Sequence, residues 1–423
     1  MLVVLFVVLS VQALLADTSR SFSQSQSEVQ PGATLISIQD YNYDGKLIEV
    51  GRNGSVNWEF DPPRSQVFDS EYLANGNVLV AVATKTPPEN CPEAQLDQAE
   101  SKCVHNRVLE LDGEALQQNN ETRVVWRYTW YDEFLQHHEV HDVDRLSTGE
   151  TAIVDMGNNR AFTVARNGTI TWQWNGSKYL GTGSAFDQQY GSPERQGPES
   201  DWTHMNDIDQ LPNGNFQLSV RNFDVIVEVN PQTNEIADVI GEPGNHSFLY
   251  EQHNPHRLTE WGTILIADSE NNRIVEYDLQ SESPVWTYGG DDILLWPRDA
   301  DRLPNGNTLI VDSLNNRVIE VNRDGEIVWE YAGVQLPYTA DRKGVSEEQG
   351  KTIPGWRLEG RVENAHPAVG FVRKIEGWAS YVFPEWVRLP ELLTLLAIVL
   401  ITVALLADLI RQYGPTHLPR IGR

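Results

Sequence analysis

The residues best suited to chemistry occupy one repeated place in the sequence. Five segments align on the leucine before an Asn-Gly-like turn, and they read FDSEYL, HDVDRL, NDIDQL, HNPHRL and RDADRL. Their first position carries an aromatic, imidazole, amide or guanidinium side chain: Phe68, His141, Asn206, His253 and Arg298. Two more histidines, His138 and His204, lie within three residues upstream of two of these positions. The sequence therefore predicts a cluster of imidazoles beside an amide and a guanidinium.

A metal centre is one use for such a cluster, because zinc takes three or four His or Asp ligands. Aspartates recur at the next position of four segments, and these are Asp69, Asp142, Asp207 and Asp299. Since they recur with the repeat, we expect them to hold strand turns together through local hydrogen bonds. We therefore predict no metal site. Histidines that only fill the core or respond to pH remain a further interpretation.

An anion site is the interpretation that Arg221 favours. In the sequence alignment Arg221 stands where sibling repeats carry Asp155, Asp268 and Asp312. A guanidinium in place of a carboxylate reverses the local charge, and its planar fork suits sulfate or phosphate. A structural ion pair between repeats is the alternative role of Arg221.

The repeats themselves predict the fold. Each continues with apolar alternation broken by Asn-Gly or Asp-Gly turns, which indicates four short antiparallel strands. The segment Thr34 to Phe60 matches only the last three strands, so a strand from the chain after Gly333 would complete a sixth unit. Four-stranded sheets arranged radially form a β-propeller. We predict an all-β, six-bladed propeller rather than a solenoid, which would need capping units.

A propeller would bring the candidate residues together, because the first strand of every blade lines the central channel. Tryptophans recur in the last strand of the repeats and are expected to pack between blades: Trp58, Trp126, Trp172, Trp286 and Trp329. Insertions at residues 84 to 105 and 176 to 201 interrupt the pattern. We expect them to form loops over one face of the ring.

The ends of the chain predict export and a membrane anchor. Residues 1–16 resemble a signal peptide or signal anchor, and residues 17–33 form a polar linker. The propeller is expected over residues 34–333, followed by an extension over 334–386 that could close the ring. Residues 389–410 are apolar for long enough to span a bilayer. Arginines in the tail, residues 411–423, place the C-terminus in the cytoplasm and the main domain outside the cell.

Composition agrees with an extracellular protein in high salt. Acidic residues outnumber basic ones 60 to 32, which disfavours nucleic acid and anionic lipid as partners and suits a halophile. Cys91 and Cys103 are the only cysteines and could form a disulfide outside the cell. Five Asn-x-Ser/Thr sequons are candidate glycosylation sites: Asn53, Asn120, Asn167, Asn175 and Asn245.

The repeats and the histidines together resemble the arylsulfate sulfotransferase family. These are six-bladed propellers that move a sulfuryl group between phenols through a covalently sulfated histidine. The resemblance covers Leu35 to Gly333 and depends on the L-P-N-G-N repeats at Leu211 and Leu303. It also depends on His204-Met205-Asn206 followed by Arg221, and on the pair Gln252-His253.

By this resemblance His253 is the nucleophile, and His204, Asn206 and Arg221 bind the sulfuryl oxygens. His141 corresponds to a further channel histidine. Arg298 is included among the binding residues because it occupies the first position of its own repeated segment. The implied substrates are an aryl sulfate and a phenol, and no cofactor is required. The chain departs from the bacterial periplasmic enzymes of this family because it has no separate N-terminal β-domain and adds a membrane helix.

Two other functions remain open from the sequence. A membrane tether suits a non-catalytic cell-surface propeller that binds a protein or glycan. A metal-dependent hydrolase or lactonase could use the same ring of residues.

Overall fold

The computed structural model describes residues 22–24, 28–93, 103–133, 137–195, 197, 200–345, 352–379 and 389–413. The predicted signal segment over residues 1–16 and the end of the predicted tail lie outside these residues. The strands, in chain order, are β1 (Phe22–Gln24), β2 (Thr34–Ile38), β3 (Lys46–Val50), β4 (Val56–Phe60), β5 (Ser65–Tyr72), β6 (Val78–Thr86), β7 (Cys103–Leu111), β8 (Val124–Asp132), β9 (Val140–Arg145), β10 (Thr151–Asp155), β11 (Arg160–Val164), β12 (Ile170–Asn175), β13 (Met205–Gln210), β14 (Phe216–Val220), β15 (Val225–Val229), β16 (Ile236–Gly241), β17 (His253–Leu258), β18 (Thr263–Asp268), β19 (Arg273–Asp278), β20 (Ser283–Gly289), β21 (Pro297–Arg302), β22 (Thr308–Asp312), β23 (Arg317–Val321), β24 (Ile327–Ala332), β25 (Pro337–Arg342) and β26 (Arg361–Val362). The helices are α1 (Gly113–Asn119), α2 (Gly176–Tyr179), α3 (Ala185–Tyr190), α4 (Pro367–Ala379) and α5 (Leu389–Tyr413).

The strands form six antiparallel sheets, which confirms the predicted six-bladed propeller. Blades 1 to 5 follow the chain as β5–β8, β9–β12, β13–β16, β17–β20 and β21–β24. Blade 6 joins the two ends of the ring, because β25 pairs with β2 and places Asp341 opposite Leu35. Two short strands lengthen the sheets, β1 beside β24 and β26 beside β20.

Strand direction defines the two faces of the ring. The first strand of each blade lies innermost and runs from what we call the upper face to the lower face. In an antiparallel blade the second and fourth strands therefore end at the upper face. Both predicted insertions leave the ring there, because they follow β6 and β12. A disulfide joins Cys91 to Cys103 at the base of the first insertion, and α2 and α3 form part of the second.

Buried apolar strands and interblade tryptophans form the core. The second strands, such as β10 and β18, are buried along their whole length, as expected for short apolar runs bounded by turns. The recurring tryptophans lie in the fourth strands, as predicted. The Trp126 indole N–H donates to the Arg166 carbonyl of the next blade at 2.9 Å, and Trp329 donates likewise to Arg52 at 3.3 Å. These residues therefore join consecutive blades.

Three of the four repeated aspartates, Asp69, Asp142 and Asp299, accept hydrogen bonds from the next blade, so the expectation that they act only within strand turns is wrong. Asp142 accepts a hydrogen bond from the Ile208 backbone N–H at 2.6 Å. Asp299 accepts from the Ala340 N–H at 2.8 Å. In each pair the donor belongs to the innermost strand of the next blade. Only tertiary proximity creates these contacts, which explains why the repeat pattern suggested a local role instead.

These carboxylates crowd into a cavity of about 30 Å³ in the channel. Its acidic lining residues come from five inner strands: Asp69, Glu71, Asp142, Asp144, Asp207, Asp209, Asp299, Asp301 and Asp341. Burial, reinforced by repulsion from neighbouring carboxylates, raises the pKa of Asp69 to about 7 and that of Asp341 to about 7. His256, which replaces the corresponding aspartate in β17, lies here too, and burial lowers its pKa to about 4.

Outside the ring, α5 is long and apolar enough to cross a membrane over Pro390–Asp408. The five sequon asparagines all lie among the described residues. Asn53, Asn120 and Asn167 are exposed, whereas Asn175 and Asn245 are half-buried. Glycosylation of these residues stays a prediction.

The crowded carboxylates should make the protein more stable at pH 5 than at pH 8. Their pKa values are higher in the folded protein than in the unfolded chain, so the folded state binds extra protons. The free energy of unfolding therefore falls as the pH rises through about 7. Asp207 has an Oδ2 without a hydrogen-bond partner. Asp207→Asn should raise the Tm at pH 8 by at least about 2 °C and flatten the pH dependence.

Calorimetry at constant high salt would measure both effects, with Asp324→Asn as the matched control because Asp324 lies in an exposed turn. We expect no change in the control. A Tm at pH 8 that is unchanged or lower in Asp207→Asn would show that carboxylate repulsion does not limit stability.

Candidate active site

A cavity of about 440 Å³ opens at the upper face of the channel. Five of the predicted site residues line it: His141, His204, Arg221, His253 and Arg298. Asn206 does not line this cavity. Its side-chain N–H donates to the Gln252 carbonyl at 2.9 Å, so Asn206 supports the backbone that precedes His253.

A repeated backbone turn aims the inner strands at this cavity. A non-glycine residue with positive φ precedes the inner strand of five blades: Arg64, His204, Glu251, Trp296 and Leu336. The preceding blade stabilises this conformation, which few non-glycine residues adopt. The Asp224 side chain accepts from the Glu251 N–H at 2.9 Å, and the Asn272 side chain accepts from the Trp296 N–H at 2.9 Å. The start of each strand is thus fixed by its neighbour.

The first residue of each repeated segment then lies at a register shift in the inner strand. In β13 the register moves between Met205 and Asp207, and in β21 it moves between Pro297 and Asp299. Such bulges redirect a side chain relative to the regular pleat. The redirected residues are Asn206 and Arg298, and His141 and His253 lie at the corresponding shifts in their strands.

Tyr338 is the sixth member of this ring, and the sequence alignment missed it. It lies within the register shift of β25, the strand that closes blade 6. Its ring centroid lies 5.7 Å from that of His141 and 6.2 Å from that of His253. Its segment, YTADRK, lacks the leucine on which the alignment depended. The shared A-D-R of YTADRK and RDADRL was the signal that could have identified it.

The predicted alignment of Arg221 is wrong by one residue. Met205 in β13 pairs with Val220 in β14, and the equivalent residue Pro297 in β21 pairs with Asp312 in β22. Val220 therefore occupies the position that is an aspartate in the sibling blades. Arg221 corresponds instead to Ser313, the residue after the strand. Blade 3 has therefore lost the carboxylate and gained a guanidinium at the adjacent position.

Arg221 forms the ion pair that the sequence left open as its alternative role, and it also lines the cavity. It forms an ion pair with Glu251 across the boundary between blades 3 and 4. It also lines the cavity, and its Nη1 lies 3.2 Å from His204 Nδ1. A guanidinium at this place can bind an anion through N–H groups that the carboxylate leaves available.

His253 is buried, and its hydrogen bonds fix one tautomer. Nδ1 lies 3.1 Å from the Glu251 carbonyl oxygen and 2.8 Å from the Ser269 hydroxyl. The Ser269 hydroxyl itself donates to the Pro297 carbonyl at 2.7 Å. Because a carbonyl only accepts, Nδ1 must carry the proton. Nε2 is left with its lone pair.

Burial lowers the pKa of His253 well below its ordinary value, and the nearby Arg298 and Arg221 guanidinium groups lower it further. Burial and the nearby His204 likewise lower the pKa of His141 well below its ordinary value. Both imidazoles are therefore neutral near pH 7. A neutral imidazole with a free Nε2 can act as a nucleophile.

Arg298 lies deep in the cavity between aromatic rings. Its guanidinium carbon lies 4.2 Å from the centroid of Trp296 and 4.9 Å from that of Tyr338. It donates to the Tyr41 hydroxyl at 2.7 Å and to the Gln39 side chain. The cavity thus combines a fixed positive charge with aromatic surfaces, and the sequence reasoning identified only the charge.

A second group of titratable residues lies at the rim of the cavity. His204 Nδ1 lies 2.7 Å from the Asp201 carboxylate, and His137 Nδ1 lies 3.5 Å from it. Burial raises the pKa of Asp201, but the hydrogen bond from His204 and the combined electrostatic effects of His204, His137 and Arg221 together hold this pKa below its ordinary value. Burial and Arg221 lower the pKa of His204 to about 4. Among the described residues, these three form the one His/Asp group with spacing suited to a metal ion.

Comparison with known proteins identifies a family. The model described as arylsulfotransferase (ASST) matches residues 19–260. No curated protein sequence matches the chain. A solved structure of a Bacteroides caccae protein of unknown function is similar in fold, with a TM-score of 0.51 at 14% identity over 74% of this chain and 98% of that chain.

Two further solved structures cover a similar share of the chain at lower similarity. A catalytically inactive virginiamycin B lyase from Staphylococcus aureus gives a TM-score of 0.42 at 9% identity, over 74% of this chain and 88% of that chain. A solved structure of a nidogen/laminin complex gives a TM-score of 0.47 at 10% identity, over 73% of this chain and 97% of that chain.

The tautomer of His253 is directly measurable. In protein labelled with ¹⁵N-histidine, we expect the His253 ring at pH 7 to show a protonated Nδ1 and an unprotonated Nε2. The reason is that the Glu251 carbonyl can only accept a hydrogen bond. The resonance is assigned by its loss in His253→Gln, and Ser269→Ala should keep the same tautomer. An Nε2–H tautomer or an imidazolium at pH 7 would contradict the assignment.

Proposed function

The chain belongs to the arylsulfotransferase family, and we propose that it transfers a sulfuryl group from an aryl sulfate to a phenolic acceptor with His253 as the nucleophile. The observation that carries this proposal is the His253 imidazole, held neutral by burial and fixed by its Nδ1 hydrogen bonds in a cavity with two guanidinium groups. The nucleophile and the anion-binding groups thus belong to one site.

In the first half-reaction, the Nε2 lone pair of His253 attacks the sulfur of the aryl sulfate. The N–S bond forms while the S–O bond to the aryl group breaks, and the electron pair of that bond leaves with the phenolate. The Nδ1 proton stays on the ring, where the Glu251 carbonyl stabilises the positive charge that develops. The buried site disfavours an imidazolium before substrate binds, which keeps the lone pair available.

In the second half-reaction, the oxygen of an acceptor phenol attacks the sulfur of sulfohistidine. The new S–O bond forms, the N–S bond breaks and neutral His253 returns. Over the whole cycle one proton moves from the acceptor phenol to the departing phenolate, and no oxidant or reductant is required. Splitting the transfer into two displacements replaces one difficult step with two easier ones.

Arg221 and Arg298 would bind the sulfuryl oxygens during both steps. Charge spreads over these oxygens in the transition state, so fixed guanidinium groups stabilise it. His204 can join them when its ring is oriented by the Asp201 carboxylate. The aromatic rings of Trp296 and Tyr338 line the same cavity and suit the flat aryl group of the donor.

Substitution of the proposed nucleophile tests the function. In full-length protein and high salt, we expect transfer from p-nitrophenyl sulfate to a second phenol, and His253→Ala should reduce it at least about 10³-fold. The matched control is His246→Ala, because His246 is an exposed histidine outside the cavity. With ³⁵S-labelled donor and no acceptor, the wild type should retain an acid-labile label that His253→Ala lacks. Equal transfer by His253→Ala and the wild type would exclude this mechanism.

The acid side of the pH profile tests the electrostatics of the same histidine. Because the pKa of His253 is lowered in the folded protein, the imidazole stays neutral below the ordinary histidine pKa of about 6.5. We expect kcat/KM to decline only at a pH below this ordinary value. Arg298→Gln removes a positive charge beside His253 and should shift this decline to higher pH. A decline centred at the ordinary pKa, with no shift in Arg298→Gln, would contradict this account.

A further inference from the structure

After β25 closes the ring, the chain runs from the lower face back to the upper face. The closing strand β25 ends at the lower face, and the cavity opens at the upper face. Residues 352–366, which we call the strap, return the chain upward along the outside of blade 4. The strap begins at the lower face, where Trp356 packs against Trp261 at a ring distance of 5.9 Å. It then adds β26 in parallel to β20, with Arg361 opposite Tyr288.

The strap delivers α4 to the rim of the cavity. Lys374 donates to Glu270 at 3.1 Å, and Glu270 lines the cavity wall. Arg373 lies 2.9 Å from Asp292. Gly377 approaches Leu295 so closely that a Cβ would lie 2.9 Å from the leucine side chain. The contact face of α4 is thus fitted to the upper face by charge and by shape.

Beside this contact face, α4 exposes apolar side chains. Phe371 is 64% exposed and Trp378 is 54% exposed, and they lie one heptad apart on the same side of the helix. Val369 adds a third exposed apolar side chain near the start of the helix. A helix that packs one face on a protein and exposes aromatic residues beside that face suits the interface between headgroups and acyl chains.

The distance along the chain identifies what covers this face. The membrane-spanning helix α5 begins at Leu389, ten residues after α4 ends at Ala379. Ten residues reach at most about 35 Å even when fully extended. The rim of the cavity is therefore tied close to the bilayer that α5 crosses. If the chain had run directly from the end of β25 at the lower face to α5, the strap would not have been needed.

We propose that α4 lies in the membrane surface and holds the mouth of the cavity toward the bilayer. The substrate class that follows is phenols and aryl sulfates that partition into lipid, and this part rests on the proposed function. Acidic residues dominate the protein, so the contact is with the apolar part of the interface rather than with anionic headgroups.

Quenching of tryptophan fluorescence tests the placement without any activity. The full chain is reconstituted in phosphatidylcholine nanodiscs with and without brominated acyl chains, which quench only tryptophans in the bilayer. We expect Trp378→Phe to reduce the quenched fraction. Trp356→Phe is the matched control, because Trp356 is 49% exposed at the lower face, and it should leave the quenched fraction unchanged. Equal quenching in Trp378→Phe and the wild type would overturn the placement.

Kinetics with two acceptors tests the substrate class. Phe371→Asp should raise the KM for a long-chain alkylphenol in the nanodisc about tenfold and leave the KM for unsubstituted phenol unchanged. Trp356→Asp should change neither. An unchanged alkylphenol KM in Phe371→Asp, with normal turnover, would overturn the substrate class. Absence of turnover with every donor would instead contradict the proposed function, while the quenching result would still decide the placement.

Discussion

Closure of the ring depends on polar side chains that reach from one blade to the innermost strand of the next. Asp142 and Asp299 accept backbone hydrogen bonds across blade boundaries. Below them, Arg302 binds Glu276 at 2.8 Å and Arg342 binds Glu320 at 2.7 Å, with all four side chains fully buried. A buried ion pair adds little net stability, but removal of one partner leaves a costly unpaired charge, so such pairs enforce one arrangement. These contacts help to fix the register of the inner strands that they reach.

The same register creates the chemistry at the upper face. Because left-handed residues precede the inner strands of five blades, and the preceding blade holds those at Glu251 and Trp296, side chains of several types converge on one axis. Most of the variation between blades is concentrated at that position, while the carboxylates one and three residues later are nearly constant. The scaffold is therefore repetitive where blades join and diverse where the cavity forms. Loss of a carboxylate at Val220 and gain of a guanidinium at Arg221 make one blade boundary suited to an anion.

Charge is separated along the channel. The upper cavity contains Arg221 and Arg298 beside three carboxylates, whereas the narrow cavity below contains nine carboxylates and no guanidinium. Burial keeps the imidazoles of His141, His204 and His253 neutral, so the guanidinium groups are the fixed positive charges beside them. The strap then places α4 at the rim of this upper cavity, where Lys374 donates a hydrogen bond to Glu270.

The sequence by itself determined the blade count, the four-strand repeat, the interblade tryptophans and five of the residues that line the cavity. These follow from local periodicity, which repeats with the structure and needs no knowledge of distance. Tertiary structure alone decided the rest. It placed Tyr338 in the ring, because the closing strand lacks the leucine that marks its siblings. It moved Asn206 out of the lining, because the Asn206 side chain donates a hydrogen bond to the Gln252 carbonyl of the next blade. It also turned three of the repeated aspartates from local contacts into bonds between blades, since residues far apart in sequence meet only when the ring closes.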